Sequence, residues 1–322
     1  TRASGTAIII SKYEGGKYRM RRLCTGVLIV LVMYSCSTLG KSENIIYEQK
    51  NEAAGYLKLA DEFTSKGQYA SALQYYNQAL ETNLIVDNQE GAIKARSSLG
   101  RVYLLIQQYE DAYKELQHAY EDAQFYGDND LIALCLCNLG EYYYAKNNLE
   151  QALSVLQEAK SLLSKNNNRL LAVILHNTAV VYVKQARYDE AKPLLESASN
   201  INIKEKKWSE YAANCYTLGI IANKTNNNTI AEQWMQKALD GDKKAENSRG
   251  ILLDLEALGK LAQKAGAYEK SFDFYRRAFY VALLLNDVGA AKRCITELIQ
   301  LSEKLGRLDD VKRYTEMLSK LP

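Results

Sequence analysis

A repeat of about 40 residues runs through most of this 322-residue chain, and it restricts the possible folds more than any other feature. A small residue recurs at spacings of 40, 40, 39, 40 and 40, with a weaker copy 40 positions further on. These positions are Ala72, Ala112, Ala152, Ala191, Ala231, Ser271 and, in the weaker copy, Val311. In the first six copies another small residue stands twelve positions earlier and an alanine seven positions later. This register predicts a stack of similar units, since one unit alone cannot bury its apolar face.

Large apolar residues occupy fixed positions between the small ones. Leucine precedes the first small site in five copies, as at Leu99, and an aromatic residue often follows three positions after that site, as at Tyr103. Helices that cross with axes about 8–10 Å apart need small side chains at the crossing and large ones beside it. Segments such as Asn147-Asn148 and Asp128-Asn129-Asp130 are typical of helix ends and caps. Each copy is therefore predicted to be a helix, a turn and a second helix.

This arrangement resembles the tetratricopeptide repeat family, in its 40-residue, kinesin-light-chain-like variant. The resemblance covers residues 53–320, and the last copy departs from it with Ile299 and Leu318 at small sites, as a terminal cap should. It implies an all-α, right-handed superhelical solenoid of about seven helix-turn-helix repeats over residues 53–322. The length beyond the ordinary repeat of about 34 residues implies longer second helices or longer joins. Tyrosines at repeat positions, such as Tyr76 and Tyr275, are predicted to pack in the core.

The first 52 residues follow a different pattern. Basic residues between Lys17 and Arg22 precede an apolar run from Leu23 to Tyr34, which is the profile of a signal peptide and is shorter than the roughly 20 residues of a membrane-spanning helix. The segment Met33-Tyr34-Ser35-Cys36 resembles the bacterial lipobox, whose cysteine becomes lipid-modified. We predict a translated leader or N-terminal extension at 1–19, a signal peptide at 20–35, lipid attachment at Cys36 and a tether at 36–52. An uncleaved anchor or plain secretion is the alternative.

Charge and motif content favour a protein that binds other proteins. The net charge is +3, but residues 1–35 carry six basic and one acidic side chain, which leaves 35 basic and 37 acidic side chains in the rest. A nearly neutral body disfavours nucleic-acid binding. The sequence shows no phosphate loop, nucleophile elbow or metal-ligand motif, so we expect no enzyme, cofactor, metal or small-molecule substrate. Four cysteines of the repeats are expected to be apolar filler: Cys135, Cys137, Cys215 and Cys294.

By resemblance, the first helix of each repeat lines a concave groove that binds the partner. The residues expected in this groove are Arg101, Asn138, Glu141, Tyr144, His176, Asn177, Lys184, Tyr216, Asn223, Lys224 and Lys260. The four cations of this set hint at an acidic partner or a C-terminal carboxylate.

Asn138 and Asn177 are 39 residues apart and occupy the same offset in adjacent copies, so we expect them to be neighbours on the surface of the groove. One amide can donate to a peptide carbonyl and accept from a peptide N–H. In the alternative, each amide bonds a neighbouring helix.

These features together predict a membrane-anchored lipoprotein of the bacterial cell envelope, with its repeats outside the cytoplasm. It would be an interaction scaffold that binds a protein or peptide partner of an envelope machine. The alternative is a peptide-sensing regulatory repeat protein.

Overall fold

The structure is a computed structural model, and it describes residues 45–322. In this part of the chain fourteen helices follow one another and no strand occurs, which confirms the predicted all-α solenoid of seven helix pairs. Helix α1 covers residues 45–65. The others are α2 Tyr69–Ile85, α3 Gln89–Leu105, α4 Tyr109–Tyr126, α5 Asn129–Ala145, α6 Leu149–Leu162, α7 Asn168–Lys184, α8 Tyr188–Lys204, α9 Trp208–Lys224, α10 Asn228–Lys244, α11 Ser248–Lys264, α12 Tyr268–Leu284, α13 Val288–Lys304 and α14 Leu308–Ser319. Odd-numbered helices are the first helices of the repeats, and even-numbered helices are the second.

The predicted signal peptide and the predicted lipidation site, Cys36, lie outside the described residues. Within residues 45–322, none of the helices combines the length and the apolar character that crossing a bilayer requires.

Most joins have three residues, and the middle residue adopts the left-handed backbone conformation. Asn147, with φ of 61°, is an example. Its N–H donates to the Tyr144 carbonyl at 3.0 Å, and the N–H of Asn148 donates to the Tyr143 carbonyl at 2.8 Å. These bonds satisfy carbonyl groups at the end of the helix that have no hydrogen-bond donor within it. The side chain of Asp128 accepts the N–H of Leu131 at the start of α5, which confirms the predicted cap.

The small residues lie where the two helices of a repeat cross. Ala112 and Ala152 are fully buried. A Cβ atom added at Gly140 would lie 2.8 Å from Leu156 Cγ, a distance that real Cβ atoms do not tolerate. The predicted need for small side chains at the crossing is therefore confirmed.

The core tyrosines are also confirmed. Tyr76 and Tyr275 are buried, with 3% and 2% of their surfaces exposed. Others, such as Tyr103 and Tyr182, are half-buried and pack against the cores of their repeats.

First helices make up one continuous inner surface. Each helix packs against the next in sequence, and the first helices from α3 to α11 also contact one another from repeat to repeat. Among the residues described, consecutive second helices make no contact of comparable extent. The first helices thus lie on the closer-spaced, concave side of the stack.

Two predictions about the extent of the helices differ from the structure. Helix α1 begins at residue 45, eight residues before the predicted start of the repeats, because the stretch from Glu48 to Glu52 holds no Pro or Gly that would break it. The additional length per repeat lies in both helices rather than in the second helix or the joins. Helices α3 and α10, for example, both have 17 residues.

Candidate peptide-binding groove

A cavity of about 750 Å³ opens on the inner face of repeats two to five. Its walls come mainly from α3, α5, α7 and α9, with the joins that precede α5 and α7 and with Asn202 of α8. The lining residues on the four helices include Lys94, Arg101, Leu134, Cys137, Asn138, Glu141, Val173, His176, Asn177, Glu210, Ala213 and Asn214. Its size and its mixture of apolar and polar walls are typical of a ligand site.

Five of the eleven predicted groove residues line this cavity, namely Arg101, Asn138, Glu141, His176 and Asn177. The structure brings these five together from three consecutive repeats. The other six lie outside the cavity: Tyr144, Lys184, Tyr216, Asn223, Lys224 and Lys260.

Polar contacts across the cavity wall connect consecutive first helices. Asn138 Nδ2 donates to Ser97 Oγ at 2.7 Å, which joins α5 to α3. Asn177 Nδ2 donates to Glu141 Oε1 at 3.0 Å, which joins α7 to α5. The second oxygen of Glu141 accepts from Arg101 Nε at 3.2 Å. A row of hydrogen bonds therefore fixes the spacing of repeats two to four along the cavity.

The prediction for the two asparagines is corrected by these contacts. Asn138 is only 5% exposed and Asn177 is half-buried, so Asn138 is not a surface side chain. Its offset on the helix turns the amide towards the preceding first helix, where Ser97 takes the N–H. Both side-chain N–H groups therefore donate to the preceding first helix, as in the alternative in which each amide bonds a neighbouring helix.

His176 and Asn214 form a partly buried polar pair in the cavity wall. His176 Nδ1 lies 2.7 Å from Asn214 Oδ1, and since a carbonyl oxygen only accepts, Nδ1 is the donor. Burial lowers the pKa of His176, so the imidazole is neutral at neutral pH. Asn214 is fully buried, and its Nδ2 has no hydrogen-bond partner among the described residues. A buried N–H without an acceptor costs about 1–3 kcal/mol.

Asn214 was missed by sequence reasoning, although the sequence carries a signal for it. The equivalent position in the three preceding copies holds Ala95, Cys135 and Ile174, all apolar and buried. The next copy holds a second buried polar residue there, Asp254. A buried polar residue at a position that is apolar in the preceding copies indicates a special role. The family's groove offsets, from which the candidate residues were taken, do not include this position.

The cavity wall carries more acidic than basic side chains. The acidic ones are Glu90, Asp128, Asp130, Glu141 and Glu210, and the basic ones are Lys94, Arg101 and Arg169. Lys94 pairs with Glu90, and Arg101 with Glu141. Hydrogen bonds from the backbone and side chain of Ser164 lower the pKa of Asp130, which keeps it charged. This balance runs against the acidic partner that the four predicted cations suggested.

The predicted residues outside the cavity mostly connect repeats to each other. Lys184 Nζ lies 4.8 Å from the centre of the Tyr144 ring, and Lys264 donates to Asn223 Oδ1 at 3.0 Å. Tyr216 is half-buried against the core of the C-terminal repeats. Lys224 and Lys260 are exposed.

The four cysteines of the repeats are free and buried. Burial raises the pKa of the Cys137 thiol to about 12, so it stays protonated. In the described part of the chain, no group of three or more His, Cys, Asp and Glu side chains is arranged to hold a metal ion.

Comparison with known proteins agrees with the geometry. Profiles of the tetratricopeptide repeat match residues 92–165 and 53–84. The chain therefore contains tetratricopeptide repeats. Repeats of this family typically form binding scaffolds without catalytic residues. A search of curated proteins finds no match.

Solved structures similar to this tetratricopeptide repeat protein come from several sources. BtubC (BKLC) from P. vanneervenii has 16% identity and a TM-score of 0.51, with 69% of this chain and 91% of that chain covered. PilF from Pseudomonas aeruginosa has 19% identity and a TM-score of 0.51, with 73% and 93% covered. A Rap protein complexed with competence and sporulation factor has 15% identity and a TM-score of 0.57, with 84% and 76% covered. At such identities the likeness shows a shared fold.

Proposed function

We propose that this tetratricopeptide repeat protein is a membrane-anchored scaffold of the bacterial cell envelope. It binds an extended segment of a protein or peptide partner in the cavity on repeats two to five. The observation that carries the proposal is the cavity itself, with the neutral His176 and the unsatisfied amide of Asn214 in its wall.

The cavity wall suits a peptide better than a small charged metabolite. Leu134 and Val173 supply apolar surface, while the row of polar groups from Arg101 to Asn214 supplies donors and acceptors at the spacing of successive helices. A peptide backbone presents a carbonyl and an N–H at each residue. The polar side chains that line the cavity, such as Arg101 and Glu141, offer donors and acceptors for these groups.

The charge of the wall favours a partner segment with a basic side chain. Glu90 and Glu141 are paired with cations, but Glu210 has no ion-pair partner within residues 45–322 and projects from the first turn of α9. A lysine or arginine of the partner would meet it without having to break an existing pair.

Membrane attachment rests on the sequence before residue 45. The signal-peptide profile and Ser35-Cys36 support lipid attachment at Cys36 and a location outside the cytoplasm. Growth with a labelled fatty acid tests this step. The wild-type protein should carry the label and the Cys36→Ser variant should not; an unlabelled wild-type protein that stays in the membrane would argue for an uncleaved anchor instead.

A peptide-sensing regulator is the second candidate. It is supported by the Rap protein complexed with competence and sporulation factor, whose fold matches 84% of this chain. The similarity in fold to PilF is compatible with the scaffold hypothesis.

Affinity capture from the membrane fraction separates the two readings. A partner that co-purifies at fixed stoichiometry supports a scaffold, and a short peptide released on denaturation supports a sensor.

Val173→Trp narrows the cavity and should reduce the amount of captured partner at least about tenfold. Leu253→Trp is the matched control, because Leu253 occupies the same offset on α11 but lies outside the cavity. Equal capture by both variants would place the binding site elsewhere.

A further inference from the structure

The two edges of the solenoid differ in character. Because the helices of a repeat are antiparallel, N-terminal ends of first helices and C-terminal ends of second helices lie along the same edge, which we call edge A. The opposite edge, edge B, holds the other ends. The chain reaches the solenoid at edge A, where α1 begins at residue 45.

Edge A of repeats one and two carries exposed, large apolar side chains. Ile85 and Phe125 are 40 residues apart, so they hold the same position at the ends of α2 and α4, and they are 75% and 88% exposed. The other exposed apolar residues of this edge segment are Ile45, Ile46, Tyr47, Leu84 and Tyr126. Monomeric soluble proteins rarely expose apolar side chains in such groups, and those that do usually bind something there.

Further along, edge A carries more lysines than exposed acidic residues. In repeats four and five its lysines, at the ends of α8 and α10 and in the join after α8, are Lys204, Lys206, Lys207, Lys243 and Lys244. The exposed acidic residues of the same segments and of the join after α10 are Glu205, Asp240 and Glu246. The first three of the lysines have no ion-pair partner among the residues that the structure describes. The apolar segment itself is flanked by Asp87 and Asp128, so attraction for anions comes from repeats four and five.

We propose that edge A is the surface by which the repeats lie on an anionic lipid bilayer. This inference rests on the proposed membrane attachment. If Cys36 is the anchor, eight residues separate it from residue 45, and at about 3.3–3.6 Å per residue the tether spans at most roughly 30 Å. Edge A of repeats one and two is thereby held close to the bilayer.

The chemistry of the edge matches a lipid surface. Aromatic and aliphatic side chains at the level of the headgroups bury apolar area, and lysines near an anionic surface add electrostatic attraction. Docking by an edge leaves the inner face of the first helices open, so the cavity stays accessible to a partner.

Quenching by lipids that carry bromine on their acyl chains tests the proposal. The full chain would be reconstituted into brominated phosphatidylglycerol vesicles with a tryptophan probe at Phe125→Trp. The control is Leu308→Trp, because Leu308 is 77% exposed and begins α14 at edge B. After subtraction of the wild-type signal, which comes from Trp208 and Trp234, the probe at 125 should be quenched at least about twice as strongly as the probe at 308.

The possible failures are distinguishable. If the protein does not float with vesicles, the proposed membrane attachment fails and this inference fails with it. If it floats but both probes are quenched equally, attachment stands and the assignment of edge A is wrong. If sedimentation shows a dimer that Phe125→Ser abolishes, the apolar segment binds a second copy of the chain, which also overturns the proposal.

The lysines have a test of their own. Changing Lys204, Lys206 and Lys207 to Gln should lower quenching at position 125 in phosphatidylglycerol vesicles and leave it unchanged in zwitterionic phosphatidylcholine vesicles. An equal response in both lipids would remove the lysines from the proposal.

Discussion

Repeats five to seven and repeats one to four are built differently. In the C-terminal part, one cluster of buried side chains runs without interruption from Ala222 to Tyr314, and it includes the aromatic residues Phe272, Tyr275 and Phe279. The N-terminal part is divided into five smaller apolar clusters. Helix α6 has only 14 residues there, and the longest join, residues 163–167, follows it.

Most of the cavity lies in the part with the divided core, and only its α9 wall belongs to repeat five. Between those clusters the first helices are held by hydrogen bonds, such as Asn138 to Ser97, in place of apolar packing. First helices of the C-terminal part are also joined by polar contacts, such as Lys264 to Asn223, but these lie beside a continuous apolar core. The difference indicates that the C-terminal repeats supply stability and the N-terminal repeats supply the binding surface.

Removing an aromatic side chain from the continuous core should have the largest effect. Phe279→Ala empties a site that is 1% exposed and should lower the free energy of unfolding by about 3–5 kcal/mol. Tyr120 occupies the same offset in repeat two and is half-buried, so Tyr120→Ala should cost about half as much. Urea unfolding of the two variants measures both values; equal losses would contradict the contrast between the two parts.

The helix crossings of the C-terminal part provide a finer comparison. A Cβ at Gly259 would lie 2.8 Å from Tyr275 Cε2, and one at Gly219 would lie 2.9 Å from Met235 Cε. A buried ring cannot move aside, but a methionine can adopt another rotamer. Gly259→Ala should therefore cost about 1–3 kcal/mol and Gly219→Ala less than about 1 kcal/mol, as measured by thermal unfolding. The reverse order would show that Tyr275 is not fixed in place.

The asparagines of the cavity wall should differ in their effect on stability. Asn138→Ala leaves the buried hydroxyl of Ser97 without its partner and should cost about 1–2 kcal/mol. Asn177→Ala leaves Glu141 with its Arg101 contact, so the cost should stay within about 0.5 kcal/mol. Denaturant midpoints of the two single variants measure the difference. Indistinguishable midpoints would mean that Asn138 has no structural role.

A buried pair of acids makes the seam between repeats five and six sensitive to pH. Asp242 and Asp254 are 5% and 1% exposed, and burial raises the pKa of both carboxyl groups, with mutual repulsion a further cause for Asp254. The folded protein therefore keeps these protons at pH values where the unfolded chain has lost them. Stability from this pair is fully present below about pH 4, the ordinary range of Asp, and falls as the pH rises towards neutral.

Asp254→Asn should remove the part of this dependence that comes from Asp254, because an amide stays neutral; the part from Asp242 remains. The stability of the variant relative to the wild-type protein should increase between pH 5 and pH 8 by on the order of 1 kcal/mol. Unfolding at a series of pH values measures this difference. A difference that stays constant over this range would show that the pKa of Asp254 is not raised in the folded protein.

The fold could be predicted from the sequence because the same pattern of small and large residues at the helix crossings occurs in copy after copy. Gly140 and Ala152 mark a helix crossing in the sequence as clearly as in the structure. The site was predicted only in part, since offsets borrowed from a family describe an average repeat. Asn214 lies in the wall at an offset that the family pattern does not include. Lys260 has the same offset as Arg101 and Glu141, but it lies in repeat six, beyond the cavity.

Our central claim is that the N-terminal repeats bind the partner and the C-terminal repeats supply stability. Photo-crosslinking in the cell envelope tests it most directly. A benzoylphenylalanine residue would replace Val173, in the cavity wall, or Leu253, at the same offset on α11 and 46% exposed. We predict a discrete covalent adduct of the partner from position 173 and none from position 253. An adduct from position 253 alone would contradict the account, because it would place the partner on the repeats that we assign to stability.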